Sequence, residues 1–212
     1  AIWRLSSQHH EHVVNAGAIA PLVLLAGSSN DDGQTQSAGA LITLACGHPE
    51  HQAAIAELLV SQLNDLNDTT NMLPQHPGTA VKKGDGTDKQ ARAIQAISRF
   101  AQAHTDNQDA LARAGGIELL LSLLHPNEDV PPSLNRRNSF SHLLSVTVTA
   151  ASGKSLVRKE LAAALWSTAH EHPANRRRIA ELGGIPLLIA LLGDHMDVRR
   201  DAAGALGSLC VD

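Results

Sequence analysis

Tyrosine is absent from this 212-residue chain, and phenylalanine and tryptophan occur only twice each. A core must therefore come from Ala, Leu, Ile and Val, within a chain that is 43% hydrophobic. That suits closely packed helices built from small residues. Cysteine is scarce too: Cys46 and Cys210 stand alone, and no Cys-x-x-Cys pair signals a zinc site or a redox dithiol. Both follow apolar helix residues and are expected as buried free thiols in a reducing compartment. No apolar run reaches the ~18 residues of a membrane span, and no signal peptide is visible. A basic excess is also missing, since 17 Lys and Arg face 21 Asp and Glu. That argues against a dedicated nucleic-acid binder, which shows a basic face.

The motifs of catalysis are missing as well. Ser, His and carboxylates for a triad are present, but there is no Gly-x-Ser-x-Gly elbow. There is no Gly-rich phosphate loop ending in Lys-Ser/Thr. Gly84-Asp85-Gly86-Thr87-Asp88 echoes a calcium loop without its required acidic and Glu positions. The expectation is a non-enzyme with no cofactor and no metal.

What the chain does have is repetition. Ala164-Leu165-Trp166-Ser167-Thr168-Ala169 has four near-copies, which begin at Ala1, Ala40, Ala96 and Ala205. The spacings are 39, 56, 68 and 41 residues. The first and last approach the ~40–47 residues of two- or three-helix solenoid units. A second phrase keeps the same register: Ala16-Gly17-Ala18-Ile19, Ala114-Gly115-Gly116-Ile117 and Leu182-Gly183-Gly184-Ile185. Its glycine ends a short helix in the left-handed conformation. Pro21 and Pro186 then fall in the first turn of the next helix, where a missing N–H costs little. Each unit reads as three helices; in the last they are expected near 174–182, 185–192 and 196–210. The second unit has Leu58-Leu59-Val60-Ser61-Gln62-Leu63 in place of the glycine phrase, so its first two helices are expected to merge or tilt.

The two longer spacings hold insertions at about 67–88 and 126–156, at one topological place in the unit. Long loops are tolerated because closure cost grows only logarithmically. The second contains Arg136-Arg137-Asn138-Ser139-Phe140, a pattern like a basophilic kinase site, so Ser139 is a candidate for phosphorylation. Residues from Phe140 to Val148 suit a short helix or strand. Charge is uneven along the chain: residues 1–110 carry 6 Lys/Arg against 11 Asp/Glu, residues 111–212 carry 11 against 10.

Twelve histidines invite a metal reading, with His9, His10 and His12 close together and His48/His51 three apart. Repetition argues otherwise. His48, His104 and His172 hold one place in their units, and His51, Asn107 and Asn175 another; His9 matches one or the other. A small polar residue at each junction caps helix ends. Stacked units should hold these imidazoles ~10 Å apart, a helix-to-helix distance. Trp3 and Trp166 share a place in their phrases and read as packing between units, with an exposed binding surface as the alternative.

The order Gly-Gly-Ile-Pro-Leu-Leu followed by Ala-Leu-Trp-x-x-Ala resembles the armadillo repeat family, of the plant-type and vacuolar-scaffold kind, over nearly the whole chain except the insertions. The resemblance implies an all-α, right-handed α-solenoid. Unit limits fall at about 1–8 (partial), 9–47, 48–103, 104–170 and 171–212. The chain reads as a piece of a longer array whose open ends at Ala1 and Asp212 favour self-association. In this family the third helices line a concave groove, and the fourth residue of the Ala phrase faces it together with those four and seven earlier. Here those positions give Arg4, Gln36, Thr43, Arg92, Gln95, Arg99, Glu160, Ser167 and Ser208, together with Gly39, Ala163, Asp201 and Gly204. Helical geometry groups them independently, since i, i+3 and i+7 share a face.

Import adaptors of the family carry Asn at the fourth position and Trp four earlier; this chain has neither. The expected function is a protein-interaction scaffold that holds an extended, acidic partner segment, because Arg forks suit carboxylates. A nuclear-import-type adaptor and a structural spacer are the rival readings. The expected location is cytoplasmic, with the nucleus as the alternative.

Overall fold

A computed structural model describes residues 2–72, 85–125 and 152–211. Every regular element there is a helix: α1 (Ile2–Asn15), α2 (Ile19–Ala26), α3 (Asp31–Ala45), α4 (Pro49–Met72), α5 (Asp85–Ala103), α6 (Thr105–Arg113), α7 (Gly116–Leu124), α8 (Ser152–Ala169), α9 (Pro173–Glu181), α10 (Gly184–Leu191) and α11 (Met196–Leu209). The last three match the helices expected from the sequence to within about two residues. Ser139, Arg136, Arg137 and the stretch from Phe140 to Val148 lie outside the described residues.

Glycine sets the corners. Gly17, Gly115 and Gly183 take φ of 77°, 79° and 79°, the left-handed region expected of them. The glycine after each of the last two has a different job. A Cβ on Gly184 would stand 2.5 Å from Ile179 Cγ2 and 2.9 Å from its carbonyl, and one on Gly116 would stand 2.9 Å from the Leu111 carbonyl. The first glycine turns the chain, and the second lets the new helix start against the old one.

Where glycine is missing the corner vanishes. α4 runs unbroken for 24 residues, so the first two helices of the second unit have merged. At the first junction the helix is kinked instead, with His9 at φ −138° and ψ 36°.

The insertions are shorter than expected. α4 continues to Met72 because no helix breaker precedes Pro74, and α5 already begins at Asp85. The Asp85–Asp88 stretch is thus helix, and α8 likewise starts at Ser152 rather than beyond 156.

One core runs through the stack, from Ile19, Leu22 and Val23 through Ile55, Ile94, Phe100 and Leu120 to Leu165, Leu188 and Ala205. The third helices of the units form its spine: α3 packs on α5, α5 on α8 and α8 on α11. Such stacking against neighbours alone is how a repeat protein stabilises units that cannot fold singly.

The cysteines correct an expectation. Cys46 and Cys210 are free but exposed. Each is the C-cap residue of its helix, α3 and α11, so it has left the buried face at the corner.

Candidate functional site: the face of the third helices

The junctions hold this face in place. His51 Nδ1 lies 3.0 Å from the Leu44 carbonyl, Asn107 Nδ2 donates to the Phe100 carbonyl at 3.0 Å, and Asn175 Nδ2 donates to the Thr168 carbonyl at 2.9 Å. All three bonds span seven residues and tie a first helix to a carbonyl at the end of the preceding third helix. The repeated His cap the next helix: His104 Nδ1 accepts from the Asp106 amide and His172 Nδ1 from the Asn175 amide. With Nδ1 accepting, His172 donates from Nε2 to Asp109 Oδ1 at 3.0 Å, which fixes its tautomer.

Sequence reasoning missed the clamp between units. Buried Gln108 donates through Nε2 to the Ser167 carbonyl at 2.7 Å and the His170 carbonyl at 3.1 Å. The signal was partial, because Gln52 holds that place in the unit before but Arg176 holds it in the unit after.

Two ring contacts lie at the first junction: the His10 and His48 rings are 4.2 Å apart, and those of His48 and His51, within one unit, 4.9 Å. Among the described residues no three His, Cys, Asp or Glu are arranged to hold a metal ion.

On α5, Arg92, Gln95 and Arg99 share one face, and all three are half-buried. Arg92 Nε and Arg99 Nη1 are buried and meet no acceptor among the described residues. An unmatched buried donor is costly, more so on a charged group.

The neighbouring helices differ. Glu160 on α8 is buried, and desolvation pushes its carboxyl above the usual value of 4.5. Lys159, 3.6 Å away, opposes that rise, Asp201 adds to it and Arg99 opposes it. Asp201 on α11 is buried and bonded to Arg200 Nε at 2.9 Å. Ser167 lies beneath the surface: its hydroxyl donates to the Ala163 carbonyl at 2.8 Å, and its oxygen faces Ser98 Oγ at 2.9 Å and accepts from Gln102 Nε2 at 3.0 Å.

Gln36 is exposed, Thr43 donates to the Gly39 carbonyl, and Ser208 is half-buried. The side chain of Arg4 lies outside the described residues, as does that of Trp3. Trp166 both packs and shows: it is 37% exposed, and a Cβ on Gly204 of α11 would come within 2.9 Å of its ring. Arg92, Gln95 and Arg99 thus share a face of α5, Glu160 is close enough to Arg99 to feel its charge, and Ser167 lies apart inside the stack.

The model of the Armadillo/beta-catenin-like repeat family matches residues 172–211, the span of α9, α10 and α11. A designed armadillo repeat protein, YIII(Dq)4CqI, superimposes with a TM-score of 0.52 at 19% identity, over 98% of this chain and 72% of the other. The chain has the fold of an armadillo-repeat solenoid, and its residues 172–211 match the repeat itself. Two further solved structures align over 98% of the chain: a designed armadillo repeat protein in complex with peptide (KR)4 (19% identity, 90% of that chain, TM-score 0.34) and an engineered protein (23% identity, 87% of that chain, TM-score 0.36). No curated protein matches it in sequence. No described helix is long and apolar enough to cross a membrane.

Proposed function

We propose that this armadillo solenoid is a protein-interaction scaffold, and that the face of its third helices holds an extended, acidic segment of a partner. The observation that carries the reading is the pair of guanidinium groups on α5, Arg92 and Arg99, each with a buried donor that no acceptor satisfies. An incoming carboxylate supplies a planar, two-oxygen acceptor to such a fork. Partial burial raises the gain, because the attraction is less screened than on an open surface. Two rivals are weaker. An import adaptor would carry Asn and Trp where this chain has Arg99 and Gln95, and a spacer has no use for unsatisfied charged donors.

A labelled Glu/Ser peptide titrated against the chain by fluorescence anisotropy tests the proposal. Binding should saturate, weaken with added salt, and fall at least about tenfold in the Arg92→Glu/Arg99→Glu variant once circular dichroism confirms its fold. Equal binding by the variant would move the partner elsewhere, and no binding would leave the spacer reading.

A further inference from the structure

The stack that carries Arg92 and Arg99 also carries a buried carboxylate. Arg92, Glu160 and Asp201 hold one place in three successive units, seven residues before Arg99, Ser167 and Ser208. α5 packs on α8 and α8 on α11, so that place forms a row whose charge turns from positive to negative. Glu160 stands in the middle of it. It is 8% exposed, and its ionic partner Lys159 lies 3.6 Å away.

The charges that act on Glu160 come from three helices. Lys159 is on its own helix, Arg99 on α5 and Asp201 on α11, where Asp201 is itself bonded to Arg200. No histidine is among them. Burial is the largest influence and favours the proton, as does Asp201, whereas Lys159 and Arg99 favour the charge. Arg99 does so while its buried Nη1 still meets no acceptor among the described residues. An anion that takes this donor acts on Glu160 in two ways. It offsets the attraction of Arg99, and it adds a like charge nearby. Both favour the proton. Linkage is reciprocal, so a proton on Glu160 favours the anion by the same factor.

We infer that Glu160 couples the hold on an acidic segment to a proton: ionised, it weakens the grip of Arg99 on the partner's carboxylate, and protonated, it strengthens that grip. The coupling rests on the reading of α5 as the partner's site and gives that site a response to acidity. Glu160 holds its proton above the usual 4.5, so affinity rises as pH falls from neutral toward that value. Exposed carboxylates of a partner are still largely ionised over that range.

The probe is a labelled peptide of cysteic acid and serine, whose sulfonates keep their charge throughout. Anisotropy titrations of the full chain should show affinity rising about fivefold or more from about pH 7 to about pH 5. Glu160→Gln should bind more tightly than the parent at about pH 7, by a similar factor, and lose most of the pH dependence. Any dependence that remains in it is the share of the histidines. A second measurement needs no variant: in carboxyl-carbon NMR of the parent, the titration midpoint of Glu160 should move up when the peptide saturates the chain. Equal pH dependence in parent and variant, or a Glu160 midpoint that saturation leaves in place, would overturn the inference while the acidic-segment reading stood. No binding at either pH would remove that reading and the coupling with it.

Discussion

Asn175 sits 3% exposed and donates to the Thr168 carbonyl at the end of one third helix and, at 3.4 Å, to the Gln108 carbonyl of the unit before. Asn175→Ala should cost about 1–3 kcal/mol, because it strands buried acceptors rather than removing both partners of a bond. Urea unfolding gives the value, and a loss near zero would mean that water replaces the amide. Glu160 makes an opposite forecast. Its folded-state pKa is raised, so the folded chain holds its proton more tightly than the unfolded one. The group costs nothing below its ordinary value of 4.5 and progressively destabilises the fold as pH rises from there through the raised value. Glu160→Gln should therefore match the parent near pH 4 and exceed it in stability at neutral pH. A variant that is less stable at neutral pH would show that Lys159 and Arg99 outweigh desolvation.

At the scale of the helix, the glycine pairs divide two tasks that the sequence presents as one phrase. Gly183→Ala should cost about 1 kcal/mol for its left-handed backbone. Gly184→Ala should cost more, about 1–3 kcal/mol, because a methyl there overlaps Ile179 and stands 3.1 Å from Leu121 Cδ2. Thermal melts of the two variants separate the terms, and equal losses would refute the division. These corners were legible in the sequence because glycine and proline act locally, and so was the merging of α4, since Leu58 to Leu63 offer no turn. The cysteines were misread because hydrophobic neighbours in sequence do not say which residue leaves the helix at a cap. The ends of the insertions were misread because polar Asn67 and Asp68 neither favour nor break a helix strongly, and only Pro74 marks a stop.

For the whole molecule, repetition determined the architecture, because each unit buries its apolar face only against the next. The face of the third helices was legible as a set of positions but not as a surface. Spacing placed Arg92, Gln95 and Arg99 together, yet it could not tell that Ser167 would turn inward to Ser98 and Gln102, or that Glu160 would be buried. Those outcomes depend on contacts between units that are far apart in sequence, as does the clamp of Gln108 on α8. The account rests on a partner lying over α5. A photoreactive phenylalanine analogue at Gln95, compared with one at exposed Arg177 on α9, tests this directly in lysate. The account predicts a covalent adduct from position 95 alone, lost when Arg92 and Arg99 become Glu. An adduct from position 177 with none from 95, or one that survives the double substitution, would contradict it.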